Sequence, residues 1–235
     1  MGVPRDRSRD EFAPVGAFVN SLPTLKQSGC ALLVVGDVPT DVHAYASRQM
    51  LGQTSDEVRN RLIVLTNGDY RGASHRLPLD QSTTGGTSSI ILHDPRARSA
   101  AAKQLSVSDD VSVRQLVDAN ISDLAVAIHN EIDRLEPGTV ALEPASLRVC
   151  ISSISQLLAT DDMQTVFRFL HLISGRVKHS KGIIHVHFPI QRDSRDVTLV
   201  EPLFDAIIEL RIQGSEIQQR WRMTDQEGMS RWMVM

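Results

Sequence analysis

Aromatic residues make up only 4% of the chain, so Leu, Ile, Val and Ala must fill its core. Cysteines number two, Cys30 and Cys150, and each falls inside an apolar run. That pattern reads as buried free thiols in a reducing, cytoplasmic setting and excludes a disulfide framework. No charge sign dominates: the net charge is −3 at pH 7, so there is no strong field for nucleic acid or an anionic membrane. No stretch approaches the roughly 18 apolar residues of a membrane span. The N-terminus shows no apolar signal region, so secretion is not expected. What remains is ordinary: 235 residues, 41% hydrophobic and 23% charged, enough for one large α/β domain or two small ones.

Residues 1–13 are polar and carry Arg5, Arg7 and Arg9, which reads as a disordered lead-in; residues 14–235 read as a single domain. Val15 to Gln27 has a helical apolar face, and Gly29 stops it. Buried strands follow at Cys30–Val35, Arg61–Thr66, Ser88–Asp94, Leu147–Ile154 and Ile183–Phe188, each short, apolar and bounded by turn residues. Val42 to Leu51 predicts a helix ended by Gly52, and Asp161-Asp162 begin another. The strongest helical signal is Val113 to Leu135, with Val113, Leu116, Val117, Ile121, Leu124, Ile128 and Ile132 at helical spacing and Ser112 as a cap. Asp69 to Thr87 and Pro95 to Ser108 read as polar connectors. Val197 to Leu203 is a short helix at most, and Ala206–Ile212 is a strand. Gln213-Gly214-Ser215 is a hairpin turn, Glu216–Met223 alternates with period two, and Met229–Met235 adds a last strand. Alternating strands and helices followed by a hairpin predict an α/β fold. Its expected form is a three-layer, mostly parallel sheet with helices on both faces and a C-terminal antiparallel hairpin.

The strand Cys30–Val35, the turn at Gly36 and the following helix occupy the position of a phosphate-binding loop. Such a loop needs G-x-x-x-x-G-K-[ST]: glycines for close backbone approach, a Lys for the phosphates and a hydroxyl for Mg²⁺. Counting from Gly36 past Thr40, the second glycine is Asp41, the Lys is Val42 and the hydroxyl is His43. The position is present and its chemistry is not. The other strand ends carry no set of acids with Mg²⁺ spacing. His185 and His187 share one strand face and invite a transition metal, but no CxxC or HExxH motif or third ligand lies nearby in sequence, so satisfied core histidines are the expectation and no metal site is assigned. Ser152, Ser153 and Ser155 lack the G-x-S-x-G elbow of a nucleophile.

With the strands placed, residues 15–235 resemble a RecA/KaiC-type ATPase domain. The resemblance rests on Gly36–His43 at the phosphate-loop position and on Leu65-Thr-Asn-Gly68, where that family places catalytic glutamates. It also rests on Leu147–Leu158, similar to a Walker B strand, and on the run from Val166 to Arg211. The resemblance implies that Ser152 replaces the Walker B Asp and that Asn67-Gly68 replace the glutamates. More narrowly, Gly36-Asp-Val-Pro with His43, Arg61–Thr66 and Gln218-Gln-Arg-Trp221 resemble a haloarchaeal group of RecA-like proteins labelled HTR-like, whose function is unknown.

Losing phosphate grip, metal grip and water activation together predicts a domain without catalytic residues or cofactor, acting in regulation or signalling through protein contacts or self-association. Trp221, Trp232, Met223, Met229, Met233 and Met235 offer a candidate contact surface. Two alternatives stand beside it. One is a nucleotide sensor or ATPase with an altered site built on Thr40, His43, His187 and Arg192. The other is a nucleic-acid binder using Arg5, Arg7, Arg9, Arg192 and Arg195.

Overall fold

The computed structural model describes residues 23–52, 57–66, 71–77, 86–94, 111–136, 143–226 and 228–235. Residues 23–28 are helical. The strands are β1 (Cys30–Val35), β2 (Asn60–Leu65), β3 (Ser88–His93), β4 (Val111–Leu116), β5 (Leu147–Ile151), β6 (Ile183–Phe188), β7 (Ala206–Gln213), β8 (Glu216–Met223) and β9 (Met233–Val234). The helices are α1 (Thr40–Met50), α2 (Arg71–Arg76), α3 (Ile121–Leu135), α4 (Ser155–Leu158), α5 (Met163–His179) and α6 (Arg195–Val200), with a 3₁₀ turn at Glu201–Leu203.

The strands form one sheet in the order β4-β3-β2-β5-β6-β1-β7-β8-β9. Pairing is parallel from β4 through β7 and antiparallel at β7–β8 and β8–β9. Parallel strands joined by helices must be covered on both faces, which is why β1, β3, β5 and β6 are buried at every position. Side-chain alternation splits each strand between two layers. Leu33 and Val35 join Leu62, Val64, Val149, Ile151 and Val186 against α3 and α5 in one continuous apolar cluster. Leu32 and Val34 face the other way, with Val42 and Ala46 of α1. Ile63 and Leu65 share that second face with Leu51, Ala73 and Leu77.

The helix expected over Val113–Leu135 is two elements. Val111–Leu116 is the edge strand β4, paired with β3, and α3 begins only at Ile121. The cap is Asn120, not Ser112. Its side chain accepts the N–H groups of Ser122 at 2.8 Å and Asp123 at 3.0 Å, while the Asp123 carboxylate accepts the Asn120 N–H at 3.0 Å. This reciprocal pair fixes the first turn of α3. Upstream, Val111 and Val113 alternate as β-branched residues suited to a pleated strand, and Val113 is 41% exposed rather than part of the helix's core face. A second difference is α2, which lies inside the stretch 69–87 expected to be a connector. The strand expected over Leu147–Ile154 ends at Ile151, and Ser155–Leu158 forms the short α4. Asn67-Gly68, the tail with Arg5, Arg7 and Arg9, and residues 95–108 lie outside the described residues.

No helix among the described residues is long and apolar enough to cross a membrane. Cys30 and Cys150 are both free and buried.

Candidate functional site at the strand ends

In open α/β sheets ligands bind at the carboxyl ends of the strands, and here β1, β2, β5 and β6 present those ends side by side. Gly36 closes β1 with φ of +143°, and a Cβ there would meet the Leu210 carbonyl oxygen at 2.5 Å. Only glycine fits this approach of the loop to β7. The Gly36 N–H donates to the Ile190 carbonyl at 2.9 Å, which ties the loop to the chain leaving β6.

The residues at the phosphate-loop position then divide. Thr40 and Asp41 are exposed at the start of α1. Asp41 puts a carboxylate in the first helical turn, where a phosphate would otherwise be drawn by the backbone N–H groups. Val42, at the Lys position, is 6% exposed and packs with Leu32 and Val34. His43, at the hydroxyl position, is turned into the protein. Its Nε2–H donates to the Gly36 carbonyl at 3.0 Å, and its Nδ1 lies 3.0 Å from Nδ1 of His187. Burial, with the nearby Arg76 guanidinium, lowers the His43 pKa below the ordinary imidazole value. In the neutral ring Nδ1 is then the acceptor, so His187 donates its Nδ1–H to it.

Ser152 is also consumed internally. Its Oγ accepts the Thr66 N–H at 3.2 Å, and its own N–H donates to the Val64 carbonyl at 2.9 Å. The Thr66 hydroxyl donates to the Ser153 carbonyl. These bonds stitch β2 to the turn after β5 where the resemblance implied an acid. Arg192 is paired too: it lies 2.7 Å from Glu201, which also binds Arg222. Of Thr40, His43, His187 and Arg192, named from the sequence as one altered site, the two histidines are in direct contact, Thr40 is exposed and Arg192 pairs with Glu201.

Under α1 the structure gathers more polar groups than the sequence suggested. Ser47 Oγ lies 3.0 Å from Cys150 Sγ and 3.0 Å from His185 Nε2. The His185 and His187 rings are 5.3 Å apart, edge to face. Burial, followed by the charges of Arg76 and Arg148, pushes the His185 pKa down to about 3. His187 is driven well below its ordinary value by burial, then by His43, His185 and Arg76. Cys150 was legible only as a buried thiol; its place opposite His185 is set by the pairing of β5 with β6.

The C-terminal tryptophans and methionines are partly covered. Trp232 lies between Arg211 and Arg220, 4.0 and 4.6 Å from the two guanidinium carbons, and Met223 is buried. Trp221 and Met235 line a groove of about 400 Å³ with Ala46 and Met50 of α1.

No curated protein matches the chain. A family model does, over residues 29–210, from the turn before β1 into β7. The chain belongs to the family described as "Family of unknown function (DUF7504)".

Proposed function

We propose that the protein is a non-catalytic, RecA-like α/β domain of the cytoplasm that serves regulation or signalling by contacting other proteins or a second copy of itself. The observation that carries this reading is His43. A side chain standing where a Mg²⁺-binding hydroxyl would stand is buried and spends both ring nitrogens on Gly36 and His187. Val42 supports it by placing an apolar group where phosphate transfer needs a cation. Ser152 supports it by bridging two strands where a metal-holding acid would sit. Central placement of β1 between β6 and β7 supports the RecA-like reading of the fold. The groove between α1 and β8–β9, with Trp221, Val234 and Met235 beside Gln49 and Gln219, supports contact with protein rather than with nucleotide.

Light scattering on the full chain, alone and with candidate partner proteins, tests the reading. A concentration-dependent oligomer or a stable complex is expected. A monomer at every concentration that joins none of the partners would overturn it.

A further inference from the structure

We propose that Cys150, His185 and His187 form a binding site for a soft, thiolate-seeking metal ion, with copper(I) the best-fitting occupant. Each of the three side chains is at 0% exposure, and each offers one ligand atom within 4.8 Å of the others. Cys150 and His185 are directly paired across β5 and β6, and His187, two residues on, returns to the same face.

The hydrogen bonds around the three leave lone pairs open. His43 fixes its own tautomer by donating to Gly36 and so takes the Nδ1–H of His187. The Nε2 of His187 is then a bare, buried acceptor, and it has no hydrogen-bond partner among the described residues. Nδ1 of His185 is likewise buried and unpartnered, while its Nε2 meets Ser47. With His185 Nε2–H donating to Ser47, the Ser47 hydroxyl is free to donate to Cys150 sulfur. These protons leave two imidazole lone pairs open, and an ion bound there would displace the Cys150 thiol proton to solvent, giving the thiolate ligand. His43 and Ser47 of α1 act as the outer groups that orient the ligands.

One thiolate with two neutral imidazoles suits soft or borderline ions and not Mg²⁺ or Ca²⁺. Charge narrows the choice. Arg76 of α2 is buried beside the cluster and favours the Cys150 thiolate, although burial pushes that thiol's pKa up. Arg148 on β5 adds a further positive charge acting on His185. A monovalent ion replacing the thiol proton adds no net charge next to these guanidiniums, whereas a divalent ion adds one at a fully buried position.

The test refolds the full chain from urea under anaerobic, reducing conditions with copper(I) or zinc(II), so that burial does not block loading, and then removes loose metal with a competing chelator. One retained equivalent of copper(I) is expected, with sulfur and nitrogen neighbours in its X-ray absorption spectrum. Cys150→Ser should lose at least tenfold in affinity and Ser47→Ala about tenfold, since outer groups typically contribute ten- to a hundredfold. Cys30→Ser, which removes the other buried thiol, should bind as before. If Cys150→Ser does not fold, the absorption spectrum of the unaltered protein decides: a shell without sulfur overturns the site. Retention of no metal, or loss of copper in Cys30→Ser instead, overturns it equally. Preferential retention of zinc overturns the assignment of copper(I).

Discussion

The two ends of α1 solve the same problem in opposite ways. Both bury polar side chains against the second face of the sheet. At the C-terminal end, Arg59, Arg61 and Arg148 lie under the helix at 5%, 1% and 7% exposure. Their guanidiniums donate to backbone carbonyls: Arg61 to Leu51 at 3.0 Å, Arg148 to Met50 at 3.3 Å and Arg59 to Ala145 at 3.1 Å. The last carbonyls of a helix have no partner within it and carry the negative end of its dipole, so cations close that end. Burial lowers the pKa of Arg61 and of Arg148 to about 10, and both stay charged at neutral pH. Under the first two turns of α1 and Ser47 beyond them, the helix meets a thiol and two imidazoles beside the buried Arg76, and two ring nitrogens have no partner among the described residues. At the arginine end, Arg61 and Arg148 donate to carbonyls at the end of α1 that the fold must satisfy anyway. The histidine end holds acceptors that folding alone does not need, and that difference separates a structural closure from a place where chemistry can occur.

Acid should separate the two ends most. The folded chain keeps His185 and His187 uncharged, with pKa values below the ordinary 6.5, while the unfolded chain takes up protons near that value. Stability is therefore full above about pH 6.5 and falls as the pH drops, by about 1.4 kcal/mol per pH unit for each histidine. Urea unfolding at pH 7 and pH 5 should differ by about 2 kcal/mol from His185, with His187 adding to it in the same direction. The arginine end does not titrate in this window. An unchanged urea midpoint would mean that the imidazoles are already solvated or charged in the native state.

Arg61→Leu should cost about 3 kcal/mol, because the buried carbonyls of Leu51 and Arg59 lose a charged donor. A loss below 1 kcal/mol in the denaturation midpoint would place those carbonyls in water. Ser47→Ala removes hydrogen bonds to Cys150 and His185 at the other end, and a loss of about 1 kcal/mol is expected in the metal-free protein. Glu57→Gln should change stability by less than about 0.5 kcal/mol, since the Glu57 side chain is 78% exposed and Arg59 keeps its carbonyl partner. A larger effect would make the arginine end depend on the Glu57 carboxylate rather than on the helix carbonyls.

Much of this layout can be read from residues alone, and the misses have physical causes. β1, β2, β3, β5 and β6 are buried strands of a parallel sheet, so each shows as a short apolar run. β4 is an edge strand whose Val113 and Leu116 happen to fall in helical phase with Ile121 and Leu124, and the N-x-x-D pair of Asn120 and Asp123 was the signal that the helix starts later. At the site, period two places His185 and His187 on one face. Cys150 joins them only through the register of β5 against β6, and Ser47 only through the seating of α1, neither of which is encoded locally. The orientation of His43 is equally a tertiary outcome, because the same residue at a looser helix start would face solvent.

On the proposed reading, the strand ends around Gly36–His43 are closed to nucleotide by bonds the protein makes to itself. Calorimetric titration of the full chain with ATP and Mg²⁺ tests it most directly. No saturable heat is expected up to millimolar ATP. One-site binding at micromolar ATP, abolished by Gly36→Ala, would contradict it and make the protein a nucleotide sensor.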